Sequence, residues 1–465
     1  MTRSQAEARR RQVAPSPVRT GRYRYSRLRW RLSVAVLDFV GALAMALWRR
    51  LWPSPRIDVP RRILLVQLDH LGDAVLTSPL INGLRSAYPD AALDVLASAS
   101  NFEVFEADPG VRRVWRAEKS WFERRRGRWA LLSAVWSLGR SLRGSGYDLG
   151  IDVRGDILTV LVLTLAGIPR RVGWAMGGGG FLLTDVARWV PGRHEVVSRL
   201  ALLDALGVPS ARPARVIVHI ADDDRVEVAR RLGDAWHEHR PDLISSGIDA
   251  PSRALGETGT QPHILRQRRM DVEPSPHRDE ADWPLAARFG ADAPILAVHL
   301  GAGTAAKRWP VGRWRVLIAR FLGDGWRVVV VGGPEDVELS SALATDSHIN
   351  ILDWTGQLTV TQTAALLERA ELFLGADSGP SHLAASACTP SVILFSGTNR
   401  VGQWRPWSRR SLVLRHRVPC GPCHRKVCPL ADHPCMTGLD ADRVYRVAQR
   451  WLARLHRREV PHAPD

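Results

Sequence analysis

The segment Glu371–Ser386 (ELFLGADSGPSHLAAS) concentrates residue types that could bind a phosphate group. It reads as a short apolar strand, a turn and a helix that opens near Ser381. Asp377 and Ser378 are types that cap helix N-termini, and Gly379 lets the backbone approach a ligand closely. Exposed N–H groups at a helix N-terminus, together with the helix dipole, favour phosphate. The pattern therefore predicts a diphosphate site, with an ordinary strand-to-helix turn as the alternative.

A second candidate is a carboxylate that follows the first predicted strand. Arg62–Leu68 (RILLVQL) is a continuous apolar run typical of a buried parallel strand, and Leu71-Gly72-Asp73 lies in the turn after it. Asp73 therefore falls at the carboxyl end of the strand and at the start of a helix. There it could act as a general base that accepts a proton from an attacking hydroxyl, or it could simply cap the helix.

A third turn combines small residues with a cation. Gly301-Ala302-Gly303-Thr304 follows the predicted strand Pro294–Leu300, and Lys307 and Arg308 come shortly after it. A hydroxyl and an ammonium group near a strand end suit phosphate binding, although the spacing is not that of a Walker A loop. For Lys307, a solvated surface charge is the alternative.

A fourth turn carries two acids. Gly332-Gly333-Pro334-Glu335-Asp336 follows the apolar run Trp326–Val331, which predicts a strand. An acid just past such a strand can accept hydrogen bonds from the hydroxyls of a ribose. Solvated loop acids are the alternative.

Four cysteines near the C-terminus have a spacing that can hold a metal. They are Cys420, Cys423, Cys428 and Cys435, with His424 and His433 among them. Zinc or an iron–sulfur cluster would suit such ligands, but only one C-x-x-C pair is present. A thiol-rich structural loop is the alternative, and the fifth cysteine, Cys388, is expected to be a buried helix residue.

These turns recur because strands and helices alternate along most of the chain. Residues 60–221 and 294–440 each contain apolar runs of strand length separated by stretches of helix length. Such alternation predicts an α/β protein with two doubly wound, Rossmann-like domains. Ligands bind such sheets at the carboxyl ends of the strands, so we expect the turns above to face a common cleft.

The segments around these domains are less regular. Arg215–Ile220 is predicted to be the last strand of the first domain. Residues 222–293 are expected to link the domains, with one helix over Asp222–Glu238 and a disordered or loosely held insertion over Pro241–Trp283, which is rich in Pro, Ser, Gly and charge. Asp440–Arg457 is predicted to be a long amphipathic helix that closes the chain at residues 441–465.

Composition limits the compartment and the partners. The formal net charge is +18, and residues 1–31 contain ten Arg against one Glu. Such an arm indicates binding to an anionic surface, either membrane or nucleic acid. Five cysteines in 465 residues do not suggest a secreted disulfide scaffold, so we expect a reducing cytoplasm.

Leu32–Trp48 is the only long apolar run. As a helix its 17 residues would reach ~26 Å, short of a hydrocarbon core of ~30 Å. Asp38 lies inside it and Arg flanks both ends, and no small-residue cleavage site follows, so a cleaved signal peptide is not expected. We expect residues 1–59 to bind the membrane through a helix lying in the interface, with Trp48 and Trp52 at headgroup level. A spanning helix and a helix packed on the protein are the alternatives.

In this order, the segments resemble glycosyltransferase family 9, the ADP-heptose:lipopolysaccharide heptosyltransferases. The similarity covers about residues 62–220 and 294–455. RILLVQLDHLGDAVLTSPLINGLRSAYPDA is similar to the family's opening strand, LGD turn and helix, and HLGAGTAAKRWPVGRWRVL resembles its phosphate loop. GADSGPSHLAAS resembles its D-[ST]-G-x-S-H-L-A-A signature. The chain departs from the family at Asp69-His70, where Ser is common, and at Pro380, where an apolar residue is common.

The resemblance implies a GT-B fold, in which two Rossmann-like domains face each other across the active site and a last helix returns to the N-terminal domain. It implies an inverting transfer without metal or other cofactor, from a nucleotide sugar (by family default ADP-heptose) to a lipid-linked saccharide. Asp73 would be the catalytic base, and Lys307 with Thr304 would contact the donor diphosphate. The other implied donor contacts are Glu335 or Asp336 at the ribose and, at the sugar phosphate, Asp377, Ser378, Gly379, Ser381 and His382.

Such an enzyme would work at the cytoplasmic face of the cell membrane, with the basic arm on anionic lipid rather than on nucleic acid. Two other hypotheses stay open. A GT-B epimerase or phosphorylase would be recognised by a pyridoxal-binding lysine, or by turnover of a sugar nucleotide without an acceptor. A non-catalytic module that binds anionic surfaces would lose all ligand binding on removal of residues 1–56.

Overall fold

The computed structural model describes residues 23, 28–51, 57–117, 128–209, 214–238, 271–274, 293–343 and 351–459. Most of the basic arm, Trp52 and most of the predicted insertion at 241–283 lie outside the described residues.

The first sheet has six parallel strands. They are β1 (Arg62–Gln67), β2 (Ala92–Ser98), β3 (Arg113–Ala117), β4 (Leu149–Asp152), β5 (Arg170–Gly173) and β6 (Asp185–Val186). Their order is β3-β2-β1-β4-β5-β6, and every neighbouring pair is parallel. Strands β2 and β3 are added on one side of β1, and β4 to β6 on the other. A doubly wound fold opens a crevice for ligands at such a switch point, here between β1 and β4.

Seven helices accompany this sheet. They are α1 (Leu28–Leu51), α2 (Leu71–Val75), α3 (Ser78–Ala87), α4 (Phe102–Glu106), α5 (Arg128–Leu142), α6 (Ile157–Leu165) and α7 (Glu195–Ala205). Local sequence explains several starts. Asp156 caps α6 by accepting a hydrogen bond from the Leu158 N–H, and Pro79 occupies the first turn of α3.

The second sheet has the same central order with one added edge strand. Its strands are β7 (Asp271–Pro274), β8 (Ile295–His299), β9 (Arg327–Val330), β10 (Leu352–Asp353), β11 (Leu372–Ala376), β12 (Ser391–Phe395) and β13 (Ser411–Arg415). The order is β10-β9-β8-β11-β12-β13-β7, with only β7 antiparallel to its neighbour. The two sheets confirm the predicted α/β class with two Rossmann-like units.

Eight further helices follow the first sheet in the described part of the chain; α8 precedes the second sheet's central strands, and the others lie between or after them. They are α8 (Asp222–Glu238), α9 (Val311–Gly323), α10 (Val337–Ser341), α11 (Val360–Arg369), α12 (Gly379–Ser386), α13 (Val401–Trp404), α14 (Pro434–Thr437) and α15 (Ala441–Glu459). Helix α8 packs on α11, where Arg225 binds Glu368 at 2.8 Å. The helix predicted at Asp222–Glu238 is therefore confirmed.

Strand β7 lies inside the segment that was expected to have no regular structure, so that prediction is wrong at these four residues. Its backbone pairs with the edge of the sheet, with Glu273 opposite Val413. Four residues are too few to show a periodic pattern, and Pro274 is tolerated because an edge strand has an unbonded side.

The strand predicted at Arg215–Ile220 is also wrong, because this stretch belongs to neither sheet. Its alternating apolar residues, Val216 and Val218, are buried, which explains the strand-like pattern. The Ile217 N–H donates to the side-chain hydroxyl of Ser78 (2.9 Å). In a sheet, the acceptor would be a backbone carbonyl of a neighbouring strand.

The closing helix α15 packs on the C-terminal sheet, so the implied return to the N-terminal domain is wrong. It lies against α9, and the indole of Trp451 donates to the Arg410 carbonyl at 3.3 Å. Its apolar stripe is buried in the core of this domain; the stripe is Val444, Ala448, Trp451, Leu452 and Leu455. These residues recur at helical spacing, so their burial fixes the orientation of the helix.

Helix α1 is longer than the apolar run predicted. It has 24 residues, about 36 Å at ~1.5 Å per residue, so it is not too short for a hydrocarbon core. Within the described residues, Leu28–Trp48 is the one stretch that is long and apolar enough to cross a membrane. Asp38, in the middle of this helix, is buried against the protein, where it accepts hydrogen bonds from the Gly179 N–H (2.8 Å) and the Tyr23 hydroxyl (2.9 Å).

Candidate active site

The turn after β1 holds Asp73 in a fixed position. The buried Gln67 side chain donates to the Asp73 carbonyl (3.0 Å), and the Thr77 hydroxyl donates to the same oxygen (2.7 Å). Asp73 lies in the first turn of α2, and the side chain of its N-cap residue makes no capping hydrogen bond. The Asp73 carboxylate instead points to α7, where it accepts a hydrogen bond from Arg199 Nη2 at 2.7 Å.

Arg199, which the sequence analysis missed, links this carboxylate to a second acid. Its side chain is 2% exposed and also binds Glu195 at 2.9 Å. Gln403 from the other domain donates to Glu195 at 2.8 Å. A cation in the middle of the apolar helix EVVSRLALLDA was the available signal, because a buried arginine requires acidic partners.

Asp69 adds a third acid at the same edge of the sheet. It pairs with Arg154 at 2.8 Å, which follows β4, so the pair spans the crevice between β1 and β4. Burial, followed by repulsion from Asp73, raises the pKa of Asp69 to about 7. This residue stands where relatives were expected to have Ser, and its carboxyl can titrate near neutral pH.

In the second domain, His299 joins two of the predicted turns. Its Nδ1 lies 3.0 Å from the Ser378 hydroxyl and its Nε2 lies 3.0 Å from Asp336 Oδ2. The sequence analysis missed His299 because it reads as the penultimate residue of a buried strand. A polar ring at the carboxyl end of the central strand β8 was the signal that could have identified it.

Lys307 and Asp377 form the other bridge between β8 and β11. Lys307 Nζ lies 2.8 Å from Asp377 Oδ2, which also accepts a hydrogen bond from the Asn399 amide at 2.7 Å. Asp377 therefore carries the charge that Lys307 balances in the absence of a ligand.

The predicted caps of helix α12 are wrong. The side chain of the N-cap residue, Ser378, makes no capping hydrogen bond, and its hydroxyl donates to the Ala376 carbonyl (3.1 Å). The helix begins at Gly379, two residues earlier than expected, and Ser381 Oγ bonds back to the Ser378 carbonyl at 2.7 Å. Neither Asp377 nor Ser378 therefore occupies the N–H groups of the first turn.

Two buried polar atoms at this site have no hydrogen-bond partner within the described residues: Nδ1 of His382 and Oγ1 of Thr304. Burial lowers the pKa of His382 to about 4, so its imidazole is neutral at physiological pH. Unsatisfied buried polar atoms are costly, and ligand binding is one way to satisfy them.

The two acids of the GGPED turn differ in exposure. Asp336 is buried, and in addition to His299 it accepts a hydrogen bond from the Gly333 N–H at 3.3 Å. The hydrogen bonds from His299 and the Gly333 N–H lower its pKa against the opposing effect of burial. Glu335 is exposed. Asp336 is thus held inside the site and Glu335 lies at its rim.

The two domains meet where these turns face each other. Helix α2 packs on α12, and a β-carbon built at Gly72 would lie 2.7 Å from Cδ2 of His382. A β-carbon at Gly379 would lie 2.9 Å from the Leu71 side chain. Both contacts require glycine because any larger residue would separate the turns. The structure therefore brings Asp73 of one domain and His382 of the other into one cleft.

The cysteine-rich segment packs against the Thr304–Lys307 loop, where the Ala306 N–H donates to the Lys426 carbonyl at 2.9 Å. Cys420, Cys423, Cys428 and Cys435 line one small cavity of about 20 Å³, and none of the chain's cysteines forms a disulfide. No three metal-ligating side chains of the described residues are grouped to hold an ion. Cys388 is buried as expected, although it follows α12 instead of lying within it.

The site thus separates two kinds of chemistry across the cleft. The N-terminal side presents a carboxylate held by a buried guanidinium, which suits proton transfer from a hydroxyl. The C-terminal side presents a lysine, a neutral histidine and an uncapped helix N-terminus, which suit a phosphate-bearing ligand.

Comparison with known proteins gives relatives of one kind. The sequence profile of Glycosyltransferase family 9 (heptosyltransferase) matches residues 266–433. Lipopolysaccharide heptosyltransferase 3 of Escherichia coli is 23% identical over 378 residues, 78% of this chain and 92% of that protein. Lipopolysaccharide heptosyltransferase 1 of Pseudomonas aeruginosa is 26% identical over 381 residues, 79% of this chain and 87% of that protein.

Solved structures have the same fold. A family 9 glycosyltransferase from Veillonella parvula matches with a TM-score of 0.63 at 19% identity, over 85% of this chain and 97% of that one. The E. coli ADP-heptose lipopolysaccharide heptosyltransferase II matches with a TM-score of 0.61 at 19% identity, over 84% of this chain and 99% of that one. The fold is therefore GT-B, as expected. With the signature turns assembled in one cleft, the chain is a glycosyltransferase whose sequence is similar to glycosyltransferase family 9.

Proposed function

We propose that this chain transfers heptose from ADP-heptose to a lipid-linked saccharide such as a lipopolysaccharide core. The observation that carries the proposal is the contact between the Asp73 turn and the His382 helix, which joins a candidate base to a candidate donor site. The names of the relatives support the donor and the acceptor, since lipopolysaccharide heptosyltransferases cover most of the chain. The reducing cytoplasm expected from the cysteine content supports a cytoplasmic location.

On the acceptor side, Asp73 would take the proton from the attacking hydroxyl. An inverting displacement needs such a base on the face of the sugar opposite the leaving group. Arg199 would hold the Asp73 carboxylate in one orientation, because its guanidinium is 2% exposed and cannot turn to solvent. Glu195 and Gln403 hold Arg199 from the other side, so the base would be positioned by both domains.

On the donor side, the diphosphate would lie between Lys307 and the first turn of α12. Negative charge grows on the leaving diphosphate during transfer, and fixed cations and N–H dipoles stabilise it. Lys307 would move partly from Asp377 to the phosphate, and Thr304 Oγ1 and His382 Nδ1 would gain the partners they lack. Because these groups neutralise the leaving charge, the proposed transfer needs no metal.

The ribose is assigned to Asp336 with Glu335 at the rim. These acids follow β9, beside the strand β8 that leads to Thr304 and Lys307. This order would place the nucleoside over β9 and the diphosphate over β8 and β11, as expected for a nucleotide at the carboxyl ends of a doubly wound sheet. Ser378, Gly379 and Ser381 would line the path between them.

The membrane contact is assigned to helix α1 lying in the interface. One stripe of it faces the N-terminal domain, at Val34, Asp38, Gly41 and Met45, where Asp38 binds the Gly179 N–H. The other faces carry exposed apolar side chains, among them Trp30, Leu32, Phe39, Val40, Leu43 and Leu47. A spanning helix would take the attached 177–182 loop into hydrocarbon, so an interfacial helix agrees better with these contacts.

A donor screen tests the proposed function. The purified chain would be incubated with ADP-, GDP- and UDP-sugars and a detergent-dispersed lipopolysaccharide-core acceptor, and products would be weighed by mass spectrometry. The proposal predicts addition of one heptose from ADP-heptose and the release of ADP. Transfer only from another nucleotide sugar would refute the donor, and ADP-heptose turnover without any acceptor would favour the epimerase or phosphorylase reading.

Liposome flotation tests the membrane assignment. The full chain should float with anionic vesicles and be released in part by high salt, which screens the arginine contacts. A chain beginning at Pro60 should remain in the soluble fraction and still transfer sugar, because every site residue lies downstream. Attachment that resists both salt and carbonate would show a spanning helix instead.

A further inference from the structure

A cavity of about 370 Å³ lies beside the active site at the carboxyl ends of β12 and β13. Its volume falls in the ~300–1,000 Å³ that small-molecule sites occupy. Residues 396–402 form one wall and residues 415–422 form the other. We call it the arginine pocket, because Arg400, Arg415 and Arg417 line it together with His416.

The arginine pocket is positively charged. Three guanidinium groups line it, and none of the twelve described lining residues is acidic. A guanidinium group stays charged at every physiological pH and binds phosphate or carboxylate through paired N–H donors. The lining therefore favours an anionic ligand over a neutral one.

Asn399 separates the arginine pocket from the candidate diphosphate site. Its side chain lines the pocket and donates to Asp377 at 2.7 Å, the residue that binds Lys307. In the sheet, β9 with the ribose candidates lies on one side of β8 and β11, and β12 and β13 lie on the other. The pocket is thus across the diphosphate site from the nucleoside.

The arginine pocket is linked to the base through a chain of three side chains. Helix α13 begins at its wall, and Gln403 of that helix donates to Glu195 at 2.8 Å. Glu195 shares Arg199 with Asp73. In the N-terminal domain, a β-carbon built at Gly192 would lie 3.1 Å from Arg400 Nη1. Both domains therefore meet at the pocket.

We propose that the arginine pocket binds an anionic group, a phosphate or a carboxylate, carried by the saccharide acceptor. The proposal rests on the proposed function, which requires an acceptor hydroxyl at Asp73. The nucleoside and diphosphate are assigned to β9, β8 and α12, and the transferred heptose carries no charge. A lining of three guanidinium groups therefore suits an anionic group on the second substrate. Binding the anionic group there orients the acceptor and selects charged saccharides over neutral ones.

The first test measures anion binding directly. The full chain is saturated with ADP, so that the diphosphate site is occupied, and inorganic phosphate is titrated at low ionic strength and followed by ³¹P NMR. Arg400→Gln/Arg417→Gln should weaken phosphate binding at least about tenfold, as expected for the loss of charge-assisted contacts. Arg450→Gln, an exposed arginine on α15, serves as the matched control and should leave binding unchanged.

A parallel titration with ¹³C-acetate identifies the group. Binding of phosphate but not acetate assigns a phosphate, and the reverse assigns a carboxylate. The proposal is overturned if neither anion binds to the ADP-saturated wild type. It is also overturned if the double variant binds both anions with the same affinity as the wild type. Retained ADP affinity shows that the variant is folded; Arg417 is exposed, so its truncation removes no core contact.

The second test uses transfer kinetics with an acceptor that carries the group and with the same acceptor after its removal. Arg417→Gln should raise KM for the charged acceptor about tenfold or more and leave KM for ADP-heptose unchanged. An unchanged acceptor KM in an active enzyme overturns the pocket proposal alone. Phosphate binding without sugar transfer from any donor overturns the proposed function instead. A rise in KM for ADP-heptose alone would show that the arginines bind the donor, and it would also overturn the pocket proposal.

Discussion

Replacing Arg199 with methionine removes the buried cation that joins Asp73 to Glu195. The two carboxylates are only 15% and 16% exposed and would be left facing each other without an opposite charge. Breaking a buried ion pair by removing one partner costs about 3–5 kcal/mol of folding stability. Two unbalanced carboxylates also hold protons more strongly, so the acid limb of the pH–rate profile should move to higher pH.

Urea unfolding and pH–rate profiles measure the two effects separately. The double variant Glu195→Gln/Arg199→Met removes one of the unbalanced charges, so it should recover part of the stability but not the transfer rate. The affinity for ADP should stay near that of the wild type in both variants, because the donor site lies in the other domain. A transfer rate that falls with no change in the pH profile would refute the role of Arg199 beside the base.

Two further changes probe the donor site and the third acid. Lys307→Ala should weaken binding of ADP by ~1.5–3 kcal/mol more than binding of adenosine, as measured by calorimetry; equal losses would place Lys307 away from the phosphates. Because the pKa of Asp69 is raised to about 7 in the folded chain, the folded state keeps a proton that the unfolded state releases above about pH 4. Stability should therefore fall by up to ~4 kcal/mol as the pH rises through this window. Asp69→Asn should remove most of that fall in thermal unfolding at pH 5 and pH 8, and an unchanged pH dependence would show that Asp69 is ionised throughout.

Matched controls exist for both variants. The Lys426 side chain is exposed, and the contact of this residue with Ala306 is a hydrogen bond to the backbone carbonyl. Lys426→Ala keeps that carbonyl, so it should bind ADP as the wild type does. Asp90 is exposed at the end of α3, and Asp90→Asn should keep the pH dependence of the wild type. Changes in these controls would indicate a general effect of removing charge.

The sequence predicted the local parts of the site because each part is a short turn after an apolar strand. The Asp73 turn, the Thr304–Lys307 loop and the Asp377–His382 segment can all be recognised within a few residues. The sheet order then brings them together, since parallel strands end at one edge. The two doubly wound domains followed from the same alternation of strands and helices, and the GT-B arrangement was implied by the resemblance to glycosyltransferase family 9.

Partners far apart in the chain could not be predicted. Arg199 is 126 residues from Asp73, and Asp38 is 141 residues from Gly179. Nothing near Asp38 in the sequence shows that a glycine N–H will satisfy its charge, so this contact could not be predicted. Strand β7 was missed because a four-residue edge strand is stabilised by backbone pairing, which leaves no pattern of side chains.

The measurement that tests the assignment of Asp73 most directly is single-turnover transfer by Asp73→Asn, followed by mass spectrometry. Asparagine keeps the shape of the side chain but cannot take a proton, and loss of a general base typically costs ~10²–10⁴ in rate. We predict that transfer falls at least about a hundredfold, while calorimetry finds ADP bound as tightly as by the wild type. Transfer at close to the wild-type rate would contradict the assignment of Asp73 as the base.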